Sequence, residues 1–181
     1  MSPRAESGPR PGRVLFTEDE LRARVSALGR TIGGDYATLN PIVVGILQGA
    51  FLFMADLIRA TPIDLITDFI GLSSYGAGTT SSGVVRLVSD LSRPIDGRDV
   101  LIVEDIVDTG HTLAYLKRML EARRPKSLKV CVLLDKLERR ETPVELDYVG
   151  FMVPNVYVVG YGFDYGGLYR NLPYVAALEL P

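Results

Sequence analysis

A chain of 181 residues, 47% hydrophobic and 23% charged, has the length and composition of one soluble domain able to bury a real core. A net charge of −2 supplies no global field to gather nucleic acid, and no run approaches the ~20 apolar residues of a membrane span. The single cysteine, Cys131, excludes an internal disulfide, and within "LKVCVLLD" it reads as a small core residue suited to a reducing cytoplasm.

The first residues, "MSPRAESGPRPGR", are rich in Pro, Gly and Arg and hold no apolar stretch. They predict a disordered tail over 1–13 ahead of a single domain over 14–181. "FTEDELRARVSALGRTIGGDY" predicts the first helix. Thr17 and Glu20 have capping-box spacing, Phe16 and Leu21 flank the cap as a staple, and Gly33-Gly34 is expected to stop the run. "PIVVGIL" is β-branched and unbroken, as a strand buried on both faces would be. After Gln48-Gly49-Ala50 comes the helical "FLFMADLIRA", which ends before Thr61-Pro62, and then the strand "IDLITDFIGLSS". "SSYGAGTTSSG" offers no side chain to anchor a core and predicts a mobile loop. "VVRLVSDL" is expected to return from it as a strand. "DVLIVED" is the clearest buried strand, "TLAYLKRMLEARRP" a helix, and "SLKVCVLLDK" another strand. "DYVGFMVPNVYVVGYGFD" reads as two short strands broken at Pro154-Asn155. Strands alternating with helices predict an α/β fold, a mostly parallel sheet with helices on both faces, whose ligands bind beyond the carboxyl ends of the strands.

At such an end lies "VLIVEDIVDTGHT", Val100 to Thr112, with Glu104, Asp105 and Asp108 within five positions. Thr109, Gly110, His111 and Thr112 then enter a helix, where backbone N–H groups lack partners and favour an anion. Gly110 allows close approach of a phosphate, and the threonines add hydroxyl donors. A lone Asp here would more simply cap the helix. Three acids among apolar residues instead suit something positive or hydroxylated, such as Mg²⁺ or a ribose, held between them and a phosphate.

This stretch resembles the phosphoribosyl pyrophosphate signature of type I phosphoribosyltransferases. Further segments narrow the resemblance to bacterial-type hypoxanthine-guanine phosphoribosyltransferases. "GILQGAFLFMADLIR" is similar to their pyrophosphate loop and helix, "SSYGAGTTSSG" to the loop that closes over the reacting centre, and "LLDKLERR" to the strand end with the base-recognising lysine. "YVGFMVPNVYVVGYGFDYGGLYRNLPYV" is similar to their C-terminal hood.

The resemblance implies the type I fold, with a small hood built from the N-terminal helix region and the C-terminal segment, and transfer of a phosphoribosyl group from phosphoribosyl pyrophosphate to a 6-oxopurine base. It implies Mg²⁺ near Glu104, Asp105 and Asp164, and Asp108 as general base. The 5′-phosphate would be held by Thr109, Gly110, His111 (through its backbone) and Thr112, with Glu104 and Asp105 on the ribose. Leu47, Gln48, Gly49 and Arg170 would hold pyrophosphate. Lys136, Tyr157, Val158 and Asp164 would hold the purine, with Ser74 and Tyr75 on the closing loop. A homo-oligomer, dimer or tetramer, is implied likewise.

The residues themselves agree in part. Lys136 can donate to the carbonyl of a 6-oxopurine and disfavours the amino group of adenine, though alone it would read as a solvated strand-end charge. Tyr157 offers a ring for stacking or for a core. Arg170 alone would read as a surface charge or a salt bridge. Gln48 stands where many relatives carry lysine, so that loop is given a backbone role, by a Leu47–Gln48 peptide that is sometimes cis. One histidine makes a metal–histidine site a poor reading. Two rivals remain, a nucleotide-sensing RNA-binding regulator on the same fold and an enzyme for xanthine or another base. Dispersed basic residues and the acidic balance oppose the first.

Overall fold

The computed structural model describes residues 8–74 and 85–181. Its elements begin with β1 (Arg10–Phe16), α1 (Glu18–Asp35), β2 (Ile42–Leu47), α2 (Phe51–Ala60), β3 (Ile66–Ser74) and β4 (Val85–Ser89). They continue with β5 (Asp99–Val107), α3 (His111–Glu121), β6 (Ser127–Asp135), a 3₁₀ turn (Leu137–Arg139), β7 (Tyr148–Met152), β8 (Val158–Val159) and β9 (Val175–Glu179).

Six strands form the central sheet in the order β4-β3-β2-β5-β6-β7. All neighbours are parallel except β3 and β4. Successive side chains of a strand point to opposite faces, and here each face has its own helices. Val43, Leu101, Val103, Cys131 and Leu133 pack with Leu21, Val25, Leu28 and Ile32 of α1 and Phe53, Met54 and Leu57 of α2. The alternate residues Ile42, Val44, Ile46, Val100, Ile102, Val130 and Val132 pack with Leu113, Leu116 and Leu120 of α3. The β-branched runs therefore lose water on both sides, at ~1.5–3 kcal/mol for each large aliphatic side chain. No helix among the described residues is long and apolar enough to cross a membrane.

A second sheet of three strands, β1-β9-β8, is antiparallel throughout. Val158, Tyr161, Phe163 and Val175 join the α1–α2 core, and the Phe16 ring stacks on Phe151 at 4.2 Å. This sheet corrects the expected tail. Residues 10–13 are strand, with Arg10 opposite Glu179 and Pro11 opposite Leu178. Proline is tolerated because β1 is an edge strand.

The capping box of α1 forms as its spacing predicts: Thr17 Oγ1 accepts from the Glu20 amide, and Glu20 accepts from the Thr17 amide at 2.8 Å. Gly33-Gly34 does not stop the helix, which runs to Asp35. A Cβ at Gly29 would lie 2.6 Å from the Ala60 carbonyl carbon, and one at Gly33 would lie 2.6 Å from Pro62 Cδ. Gly29 and Gly33 let α1 approach the end of α2, so Gly33 serves contact rather than termination. The mobile loop expected over 73–83 falls, from Tyr75 onward, outside the described residues.

Candidate active site

β5 lies between β2 and β6, and its register decides what surrounds the acids. Glu104 is opposite Val132, and Val107 is opposite Asp135. The next residues on the two strands, Asp108 and Lys136, therefore leave the sheet side by side, with the Lys136 amide donating to the Val107 carbonyl at 3.0 Å. Lys136 Nζ stands 3.7 Å from Asp108 Oδ2. Only 8% of Lys136 is exposed, so it is not a solvated strand-end charge.

Glu104 is buried and Asp105 partly so, and the Asp105 amide donates to Glu104 Oε1 at 3.1 Å. Burial, reinforced by the negative charge of Asp105, pushes the Glu104 carboxyl well above the usual carboxylate range. Burial also raises Asp105, against the hydrogen bonds it accepts and the positive charge of Arg170. Two acids held together with little compensation form a site that a cation or a set of hydroxyl donors would relieve. The pyrophosphate-loop residues adjoin them, since a Cβ at Gly49 would fall on the Asp105 carboxylate. Leu47 and Gln48 are exposed there, and the peptide between them is cis.

Neither Asp105 nor Asp108 caps α3. Its N-cap is Gly110, at φ +88°, with no side-chain hydrogen bond. A Cβ at Gly110 would also lie 2.5 Å from the Thr142 carbonyl oxygen. The first intrahelical bond runs from the Ala114 amide to the Gly110 carbonyl, and the His111 amide makes only a long bond of 3.5 Å to Thr109 Oγ1, leaving the Thr112 and Leu113 amides available to an anion. Thr109, His111 and Thr112 surround that opening, and His111 directs Nε2 to Glu141 at 3.1 Å. The N-cap of α2, Ala50, likewise has no side-chain bond; the Phe51 amide donates to the Gln48 carbonyl at 3.2 Å, and the next amides form a second, partly open helix end after the Leu47–Gly49 loop.

On the hood side, Arg170 Nη2 pairs with Asp164 Oδ1 at 2.6 Å, and the Gly167 amide donates to Asp164 Oδ2 at 2.7 Å. Tyr157 is half exposed rather than core, its hydroxyl donating to the Asp164 carbonyl at 3.1 Å and its ring edge-on to Tyr165. A cavity of about 200 Å³ is lined by Asp105, Asp108, Lys136, Tyr157, Val158, Phe163, Asp164 and Arg170. Seven of these are residues the sequence nominates, brought from β5, the end of β6 and the hood to one place. Glu104, the Leu47–Gly49 loop and the Thr109–Thr112 turn flank the cavity without lining it. Ser74 ends β3, and Tyr75 lies outside the described residues.

A larger cleft of about 540 Å³ lies between α1 and α2, but its central polar groups satisfy one another: Tyr161 donates to Asp56 at 2.6 Å, and Asp56 pairs with Arg59. Chemistry rather than size marks the site. Asp105 and Asp164 line the same cavity, but among the described residues no three His, Cys, Asp or Glu side chains gather into a metal cage. Sequence reasoning missed Phe163 and Arg139. Arg139 follows Lys136 by three residues, and its Nε lies 3.0 Å from Asp108 Oδ1.

Residues 18–166 match the phosphoribosyl transferase domain family. The chain is 50% identical over 167 residues to the bifunctional protein TilS/HprT of Listeria innocua, covering 92% of this chain but only 26% of that protein. It is 49% identical over 172 residues to the hypoxanthine-guanine phosphoribosyltransferase of Mycobacterium tuberculosis, covering 92% of this chain and 85% of that one. A hypoxanthine phosphoribosyltransferase structure from Staphylococcus aureus superimposes with a TM-score of 0.89 at 43% identity, covering 93% of this chain and 92% of the other. The parallel sheet, the acids at the end of β5 and these likenesses agree, and the chain belongs to the hypoxanthine-guanine phosphoribosyltransferases, on the type I phosphoribosyltransferase fold.

Proposed function

We propose that this protein is a purine-salvage enzyme that transfers the phosphoribosyl group of phosphoribosyl pyrophosphate to hypoxanthine or guanine, giving IMP or GMP and pyrophosphate. The observation that carries the reading is the buried Lys136 beside Asp108 in a cavity that also holds the Tyr157 ring. A 6-oxopurine stacked on Tyr157 would present O6 to the ammonium and N7 to the carboxylate.

In this reading N9 attacks C1 of the ribosyl group as the bond from C1 to pyrophosphate breaks, the electron pair leaving with pyrophosphate. The proton of N7 passes to Asp108 as general base. The open N-terminus of α3, with Thr109, Gly110, His111 and Thr112, holds the 5′-phosphate. Leu47, Gln48 and Gly49 at the open end of α2 hold the diphosphate with Arg170. Glu104 and Asp105 take the ribose hydroxyls.

The buried acid pair and its raised carboxyls fit a hard cation with oxygen ligands, whose remaining positions would go to substrate oxygens and water. Glu104 and Asp105 would hold Mg²⁺ and Asp164 would help place a second ion, and the charge they hold would neutralise the leaving diphosphate. The proposed setting is the cytoplasm, which the unpaired Cys131 suits. The working unit is a homo-oligomer, for which exposed Phe51, Phe69 and Val88 offer apolar surface.

Lys136→Ala tests the base side. Loss of a charged hydrogen bond of ~1.5–3 kcal/mol lowers kcat/KM for hypoxanthine and guanine roughly tenfold or more. Adenine gains relative to hypoxanthine, and binding of phosphoribosyl pyrophosphate alone hardly changes. A variant that loses affinity for the sugar diphosphate and treats all purines as before removes Lys136 as the base reader.

A further inference from the structure

The carboxylate of Asp108 is held from two sides by one short segment. Arg139 Nε meets Oδ1 at 3.0 Å, and Lys136 Nζ faces Oδ2 at 3.7 Å. Asp108 and Lys136 line the cavity, and Arg139 does not. The two oxygens therefore differ: one is fastened from outside the cavity and the other lies on the lysine side.

The segment carrying both cations is itself anchored. The Glu141 and Thr142 amides both donate to the Thr109 carbonyl at 3.0 Å, and the Arg139 amide donates to the Lys136 carbonyl at 2.9 Å. Arg140, next in the chain, pairs with buried Asp135 at 2.7 Å. Arg139 is thus presented by a turn whose backbone is pinned to the phosphate-binding loop.

We infer that Arg139 is a positioning residue for the transfer: it fastens Oδ1 of Asp108, so that Oδ2 is the oxygen that takes the purine proton. The inference rests on the reading of Asp108 as general base. Arg139 and Asp108 are each about two-fifths exposed, with side-chain accessibilities of 41% and 42%, so their pair adds little to stability. Its worth is in geometry. A reacting group misplaced by about 1 Å can cost as much as 10²-fold in rate.

The test compares wild type, Arg139→Gln, Arg139→Lys, Asp108→Asn and the Arg139→Gln/Asp108→Asn double variant, by steady-state kinetics with hypoxanthine and by thermal melting. Arg139→Gln is expected to lower kcat about 10- to 100-fold with KM for phosphoribosyl pyrophosphate and Tm unchanged, and Arg139→Lys to restore part of it. In the Asp108→Asn background the same Arg139 change is expected to have no further effect, because a residue acting only through Asp108 has nothing left to act on. Wild-type kcat in Arg139→Gln overturns the inference, as does a loss that adds in full to that of Asp108→Asn. If Asp108→Asn itself turns over as wild type does, the reading of Asp108 fails first, and the inference falls with it.

Discussion

Replacing Asp108 with asparagine is expected to lower kcat by about 10²–10⁴-fold, the usual cost of removing a general base, while binding of phosphoribosyl pyrophosphate changes little. Asparagine keeps the size of the side chain, and its one amide oxygen can still accept from Arg139 Nε where Asp108 Oδ1 now does. It cannot take a proton at neutral pH. Asp108 also sits beyond the end of β5 without capping α3, so the change removes no cap and leaves the helix intact. Single-turnover measurements separate the two effects: a slow chemical step with an unchanged dissociation constant supports the role, and wild-type single-turnover rates contradict it.

The double variant Glu104→Gln/Asp105→Asn is expected to weaken binding of phosphoribosyl pyrophosphate by roughly 10²-fold or more, since two charged hydrogen bonds of ~1.5–3 kcal/mol each are lost or weakened. The Mg²⁺ dependence of binding should flatten with it. The same variant should be more stable than wild type near neutral pH. Burial raises both carboxyls above their ordinary range in the folded protein, and the charge of Asp105 adds to the rise at Glu104. The folded protein therefore binds protons here more tightly than the unfolded chain. That contribution to stability is complete below the ordinary carboxylate range and is lost as pH rises through the raised folded values. Neutral amides remove the loss. Melting curves across that window, without ligand, should show a wild-type decline that is reduced in the variant, and parallel curves would count against the account. The acid pair in this reading is a cost in stability kept for ligand binding.

The acids of β5 are legible in the sequence because an apolar run that must be buried on both faces ends abruptly in charge. No core position could hold Glu104, Asp105 and Asp108 together, so the chain announces a strand end and a ligand at once. Lys136 is different. Its residue type allows a base contact, but its burial beside Asp108 follows from the β5–β6 register, which pairs Val107 with Asp135. Arg139 and Arg140 show the limit more sharply. They are adjacent in "LERR", and local sequence gives no reason to separate them, yet Arg140 turns inward to Asp135 and Arg139 outward to Asp108. The hood strands were obscured for another reason. "RPGRVLF" and "VAALE" carry weak strand preference of their own and become strands by pairing with each other. The Gly33-Gly34 pair misleads because glycine that ends helices also lets two helices touch, and the choice lies in the distant Pro62.

The most direct test is a panel of bases offered with phosphoribosyl pyrophosphate and Mg²⁺, following nucleoside monophosphate and pyrophosphate together. Hypoxanthine and guanine should each give one nucleotide per pyrophosphate released, with adenine and pyrimidines far slower. Turnover of adenine or a pyrimidine in preference to both 6-oxopurines, or pyrophosphate release without nucleotide, would contradict the account.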